Sequence, residues 1–159
     1  MSDYSLRFGG IARLYGQPGA DILQNSHFCV IGIGGVGSWV AEALARNGIG
    51  HLTLIDLDDI CITNINRQIH ALDNTIGESK VEVMAKRIKQ INPQCQVSVV
   101  EDFITVDNLR ELLSHGYDYV IDAIDSVDIK TRLIAHCKRN KLPIITIGGA
   151  GGQVDPSKI

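Results

Sequence analysis

No two cysteines of this chain are close enough in sequence to make a metal or redox motif. Cys29, Cys61, Cys95 and Cys137 stand far apart. Without a C-x-x-C pair, neither a zinc ribbon nor a thioredoxin-type site is supported. Cys29 and Cys137 lie in apolar patterns and read as core thiols. No apolar run approaches the roughly 20 residues that cross a bilayer, and the polar, glycine-bearing start does not read as a secretory signal. Internal repeats and low-complexity linkers are also missing. An excess of one charge is absent: 15 Lys and Arg against 18 Asp and Glu leave a net −3. That excludes a generally basic nucleic-acid binder but not a local basic patch. The expected setting is reduced and cytoplasmic.

What is present is ordinary soluble material. Of 159 residues, 45% are hydrophobic and 21% charged, which suits one domain with a proper core. Apolar runs alternate with helical patterns. Strands are expected at 27–33, 51–56, 96–101, 117–125 and 142–148. Helices are expected at 35–48, 78–92, 105–116 and 126–141. Val36, Val40, Ala43 and Leu44 form the apolar stripe of the first of these helices, and Gly48 suits its stop. Val81, Met84, Ala85, Ile88 and Ile91 form the stripe of the second, which Pro93 ends. The third opens on Thr105 as its cap. This alternation predicts an α/β fold, a Rossmann-like doubly wound and mainly parallel sheet. A ligand then belongs beyond the carboxyl ends of the strands. The 32–37 loop, Asp56, Asp122 to Ser126 and Gly148 to Gly152 stand there. The glycine-rich run "TIGGAGGQVDPSKI" leaves the last strand as though into further structure.

Gly32, Gly34 and Gly37 form G-x-G-x-x-G between the first strand and its helix, with Gly35 inside the turn. Glycine lets the backbone turn tightly and approach a phosphate, and the helix start adds free N–H groups and a partial positive charge. Asp56 follows Gly37 by 19 residues, the spacing of an acid that hydrogen-bonds ribose hydroxyls. Both NAD and ATP carry ribose, so these residues admit a dehydrogenase or an ATP-dependent enzyme. The segment "DLDDICITNINRQIH" (56–70) separates the two. It places Asn64, Arg67 and Gln68 directly after the acid, and "GESK" (77–80) adds Lys80. Hydride transfer has no use for two cations beside the phosphate loop. Adenylyl transfer does: Arg67 can clamp phosphate oxygens bidentately, and Lys80 can act as a point charge while charge builds on the α-phosphate. On solvated faces the same two residues would do nothing. "DAIDS" (122–126) ends the fourth strand at the mouth of the site. Asp125 offers a hard oxygen to Mg²⁺. Asp125 or Ser126 can also cap the following helix. Two basic clusters, Lys86, Arg87 and Lys89, and "KRNK" (138–141), read as solvated helix faces.

Taken together, "GIGGVGSWVAEALARNGIGHLTLIDLDDICITNINRQ" (32–68), "GESK" and "DAIDS" resemble the ubiquitin-activating-type adenylation family. Its simpler bacterial members adenylate the C-terminus of sulfur-carrier proteins in molybdopterin and thiamine synthesis. "RFGGIARLYG" (7–16), "NRQIHAL" (66–72), "YVIDAIDSV" (119–127) and "GGAGGQVDP" (148–156) look like one branch, the tRNA threonylcarbamoyladenosine dehydratases. The resemblance implies that ATP is held by Gly32, Gly34, Gly35 and Gly37, by the ribose acid Asp56, and by Asn64, Arg67, Gln68 and Lys80. It implies a Mg²⁺-site aspartate at Asp125, with Ser126 beside it, and catalytic work by Arg67, Lys80 and Asp125. The activity implied is ATP-dependent cyclisation of threonylcarbamoyladenosine in tRNA, a dehydration through carboxylate adenylation. The alternative is adenylation of a ubiquitin-like sulfur carrier. NAD-dependent oxidoreduction fits the glycines and Asp56 alone, and a module that only binds a partner is the remaining reading. A cytoplasmic homodimer, a tRNA substrate and a sulfur-transfer partner protein come with the resemblance. In the sulfur-carrier relatives a second arginine of the N-terminal arm reaches the partner subunit's ATP; it aligns with Gly10 here, with Arg7 and Arg13 as the substitutes at hand, and the relatives' C-x-x-C zinc site lies beyond Ile159. Residues 1–26 are expected to form an N-terminal arm or helix, and 27–159 an adenylation domain continuing past its C-terminal end.

Overall fold

Continuously apolar runs bury a strand on both faces, so such strands need helices on each side. The computed structural model, which describes residues 3–148, 154, 155 and 157, has that arrangement. Its elements are α1 (Asp3–Asn25), β1 (His27–Ile31), α2 (Gly37–Arg46), β2 (His51–Ile55), α3 (Lys80–Ile91), β3 (Gln96–Val100), α4 (Leu109–Leu112), β4 (Tyr119–Asp122), α5 (Val127–Arg139) and β5 (Ile144–Thr146). The sheet order is β3-β2-β1-β4-β5 and every neighbouring pair is parallel. The expected doubly wound parallel sheet is present.

Chain order reverses on either side of β1. Ile31 pairs with Ile55 of β2 on one side and with Asp122 of β4 on the other. A crevice therefore opens above Ile31, where the strands on its two sides send their connections to opposite faces. Strand residues alternate between two cores. Val30, Leu52 and Leu54 pack with Ala41 and Ala45 of α2 and with Val81, Met84 and Ile88 of α3. Cys29, Ile31 and Ile55 pack with Leu109, Leu113, Leu133 and Cys137 on the other face. Cys29 and Cys137 are the buried free thiols the pattern predicts.

Two expectations need correction. The buried face of α2 is Ser38, Ala41, Glu42 and Ala45; Val36 and Ala43 are exposed and Val40 and Leu44 half-buried. The stripe is rotated because the small alanines let the helix approach the sheet closely, while two arginines neutralise the buried Glu42. The helix expected at 105–116 shrinks to the single turn of α4. Thr105 does exchange hydrogen bonds with Asn108, at 2.7 and 3.3 Å, but Asn108 also binds Asp102 and the Phe103 carbonyl. Such local side-chain bonds compete with the helix start. At the N-terminal end, α1 is kinked at Gly16 (φ 75°), two residues before Pro18.

Candidate nucleotide site

The glycine loop follows β1. Gly32 has φ 87°, a left-handed conformation that glycine adopts without strain, and a Cβ there would meet the Ala123 carbonyl oxygen at 3.0 Å. The loop thus turns against the end of β4. The backbone N–H groups of Gly34, Gly35, Val36 and Gly37 have no backbone acceptor among the described residues; the next, Ser38, donates to the Gly34 carbonyl. These are the donors that a helix start leaves open to an anion.

Asp56 stands just past β2 and is buried. Its Oδ2 accepts the Ile33 N–H at 2.6 Å and its Oδ1 the Asp58 N–H at 2.9 Å. The carboxylate therefore braces the glycine loop from below. Two oxygens offer about four acceptor positions, so a ribose hydroxyl can still be received.

The segment after Asp56 leaves the sheet and returns to it as a closed excursion. Ile60 N–H donates to the Glu78 carbonyl, Gly77 N–H to the Ile60 carbonyl, and Lys80 N–H to the Asp58 carbonyl. Asp59 and Ser79 form an antiparallel bridge, and Gly77 turns the chain at φ 86°. This short ladder sets Lys80 at the first residue of α3, where its buried ammonium lies 2.8 Å from Asp58 Oδ2. Within the excursion the buried Asn64 accepts the Cys61 N–H at 3.0 Å through its side-chain oxygen, and its backbone carbonyl receives Arg67 and Gln68. Asn64 thus shapes the turn that presents the arginine. Arg67 is exposed; its Nη1 donates to the Thr63 carbonyl at 2.8 Å, its methylenes lie over Gly35, and Trp39 Nε1 donates to its backbone oxygen at 3.0 Å.

One cleft of about 880 Å³ is lined by Gly32, Gly34, Gly35, Asp56, Asn64, Arg67, Gln68, Lys80, Asp125 and Ser126. All the expected binding residues meet there except Gly37, which is buried beneath the loop against the Gly32 carbonyl. Apolar walls come from Ile31, Ile55, Phe103, Ile104 and Ile129, enough to receive a base. Asp125 is exposed and makes no hydrogen bond or ion pair among the described residues. Ser126 takes the N-cap position of α5 without a side-chain bond, so the capping role expected of Asp125 or Ser126 is not filled. Asp122 does not lie at the mouth: it is 0% exposed and pairs with Lys130 Nζ at 2.8 Å. Gly148 lines the cleft, whereas residues 149–152 lie outside the described residues. Neither Arg7 nor Arg13 lines the cleft of its own chain. Cys61 is exposed, and its thiol is pulled below the ordinary range chiefly by the Thr63 hydroxyl; nothing around it assigns a role.

Sequence reasoning missed Asp58, the partner of Lys80, and Trp39, the prop under Arg67. Asp58 was legible as the second acid of "DLDD"; Trp39 carried no signal. It also missed His70, which is 1% exposed with no partner for either ring nitrogen. Burial, together with the nearby Lys80 and Arg87 charges, pushes His70 down to about 4 from 6.5. A depressed histidine stabilises the fold fully above its unfolded pKa, and that contribution is lost as pH falls from 6.5 toward 4. Unfolding by urea at pH 7.5 and pH 5 should show a loss of about 2 kcal/mol attributable to His70, and His70→Leu should remove that part of the difference.

A glycine loop at a helix start, a buried acid beneath it, two cations and an unpaired carboxylate around one cleft define an α/β domain with a candidate nucleotide site. The chain belongs to the ThiF family, whose model matches residues 9–158. It is 63% identical over 153 residues to the tRNA threonylcarbamoyladenosine dehydratase of Escherichia coli (strain K12), covering 96% of this chain and 57% of that protein. The crystal structure of the E. coli tRNA N6-threonylcarbamoyladenosine dehydratase in complex with ATP superposes with a TM-score of 0.96 at 62% identity, covering 98% of this chain and 65% of that one. A more distant relative is the molybdopterin-synthase adenylyltransferase of Haemophilus influenzae, 32% identical over 128 residues, covering 80% of this chain and 52% of that protein. The chain thus spans a little over half the length of these curated relatives.

Proposed function

We propose that this cleft binds ATP and serves the cyclisation of threonylcarbamoyladenosine in tRNA. The observation that carries the reading is the convergence of Asn64, Arg67 and Lys80 with the open N–H groups of the glycine loop on one cleft. In the reaction, a carboxylate oxygen of the threonyl group bonds to the α-phosphorus of ATP. The bond between the α-phosphorus and its bridging oxygen breaks, and pyrophosphate leaves with the electron pair. The carbamoyl group then attacks the activated acyl carbon, AMP leaves, a proton is lost, and the nucleoside has lost one water. Loop N–H groups and Lys80 hold phosphate oxygens, Arg67 swings from the Thr63 carbonyl onto the α-phosphate, and Asp56 orients the ribose. Positioning and charge do the work, and no protein nucleophile is needed.

The described residues contain no group of three metal-ligating side chains. The unpaired Asp125 carboxylate nevertheless fits Mg²⁺, which binds through one or two carboxylates plus substrate phosphates and waters. When bound, the ion would neutralise phosphate charge. The reading includes a homodimer in the cytoplasm. Activation of a sulfur carrier would use the same ATP residues; the identity of 63% to the dehydratase against 32% to the adenylyltransferase favours tRNA.

Arg67→Ala in the full-length protein should lower tRNA-dependent ATP–pyrophosphate exchange by about 100-fold while Mg-ATP still binds in calorimetry. Unchanged exchange would remove Arg67 from the mechanism. Exchange stimulated by a small carrier protein and not by tRNA would overturn the tRNA reading, as would normal cyclised adenosine in nucleoside digests from cells lacking the gene.

A further inference from the structure

Glu42 is 4% exposed and lies on the buried face of α2. Its carboxylate accepts from Arg46 Nε at 2.8 Å, from Arg87 Nε at 2.6 Å and from Arg87 Nη2 at 3.1 Å. One buried acid thus holds two guanidiniums side by side, one from α2 and one from α3. Arg7 joins them from α1, with its Nε 2.7 Å from Asp3. The three arginines, with Phe8, Gln90 and Ile91, line a hollow of about 450 Å³ that shares no residue with the nucleotide cleft.

The charges decide what such a hollow takes. Three arginines against Asp3 and Glu42 leave one positive charge in excess. The Arg7–Asp3 pair is exposed on both sides, so it is worth about 0–1 kcal/mol and exchanges readily for another anion. A guanidinium carries five N–H donors, more than the carboxylates use here. Its planar fork matches the oxygens of a phosphate, and the weak hydration of arginine favours such contacts. The neighbouring cations are otherwise engaged: Lys86 pairs with Glu78, and Lys89 donates to the Cys95 carbonyl. The basic run of α3 is therefore not a uniform solvated face. One of its three cations is turned into a built, pre-paired hollow.

We propose that this arginine hollow seats a backbone phosphate of the tRNA, away from the reacting nucleoside; the inference rests on the tRNA reading above. Arg46 ends α2 and Gln90 stands near the end of α3. Both lie roughly 13–15 Å along helices whose first turns face the nucleotide. Contact here adds to substrate binding and leaves the chemical step alone.

Two variants of the full-length protein test it without stranding Glu42. Arg7→Gln removes the cation whose own pair is exposed, and Gln90→Glu places a carboxylate in the hollow. Each should weaken binding of threonylcarbamoyl-modified tRNA by about 5–10-fold and raise KM for tRNA, and Gln90→Glu should leave kcat and the Kd for ATP unchanged. For Arg7→Gln the slope of log K against log salt should shrink by about one. Unchanged tRNA affinity and slope in both variants would overturn the hollow while leaving the tRNA reading intact. A parent protein that binds tRNA with these slopes but forms no cyclised nucleoside would overturn the reading and support the hollow. A fall in ATP affinity alongside tRNA affinity in Gln90→Glu would mark a merely structural effect and refute the proposal. So would inorganic phosphate that binds the parent, but not the variants, as tightly as tRNA does, since the hollow would then be a free-anion site.

Discussion

Gly37→Ala should lose the nucleotide site and much of the fold's stability together. A Cβ at residue 37 would lie 1.7 Å from the Gly32 carbonyl oxygen and 3.3 Å from the Ala123 side chain. The first distance is far inside van der Waals contact, and that oxygen belongs to backbone that cannot swing aside. The loop would have to move away from the end of β4. The cost should exceed the 1–3 kcal/mol typical of an overpacked core. Because the open N–H groups of residues 34–37 move with it, calorimetry on the full-length protein should show ATP affinity lowered at least about 100-fold, or about 2.7 kcal/mol. Gly50→Ala is the matched control. Its Cβ would lie 1.7 Å from the Gln24 carbonyl oxygen, at the other end of the sheet. It should lower the melting temperature in the same way, yet the folded fraction should bind ATP normally. If Gly37→Ala kept parental ATP affinity, the loop would not depend on that close approach.

Lys130→Met should destabilise the protein by about 3–5 kcal/mol, the usual cost of leaving a buried charge without its partner. Asp122 ends β4 with no solvent contact, and Lys130 of α5 is the cation beside it at 2.8 Å. The same ammonium donates to the Ile147 carbonyl at 3.0 Å, and Asp122 Oδ1 receives the Ile124 N–H at 3.2 Å. One buried pair thus ties the end of β4, the strand after it and the first turns of α5. The loop that carries Asp125 hangs from this tie. Urea unfolding of Lys130→Met and of Lys130→Met with Asp122→Asn separates the causes. The double variant keeps an acceptor for Ile124 and removes the charge, so it should recover most of the loss. Equal instability of both would show that packing of the lysine stem, and not the stranded carboxylate, is what matters.

Much of this was legible from sequence. Strand existence, sheet type and the glycine loop follow from continuous apolar runs and from G-x-G-x-x-G between a strand and a helix. Asn64, Arg67, Gln68 and Lys80 were identified by their place after Asp56, and they line the cleft. What escaped was whatever depends on a partner distant in sequence. Asp122 and Asp125 look alike three residues apart, and only Lys130 packing from α5 makes one a buried strut and leaves the other free. The buried face of α2 was misjudged because the stripe was drawn through apolar residues alone, whereas Arg87, 45 residues on, donates to Glu42 and lets it be buried. The arginine hollow is drawn from three helices, so no single stretch announces it. The short α4 was lost to side-chain bonds that compete with a helix, which hydrophobic periodicity does not register.

The register of β1 also fixes an order of assembly. Its neighbour on one side, β2, follows closely, but on the other side Phe28 pairs with Tyr119 and Ile31 with Asp122, across 91 residues. As the chain emerges from the ribosome, the glycine loop, Asp56 and the Lys80 ladder can gather early, while one wall of their crevice is still unmade. For that interval β1 is an unprotected edge with a continuously apolar face. Closure by β4 completes the cleft and removes that exposed edge in one step, so competence to bind the nucleotide and resistance to aggregation arrive together.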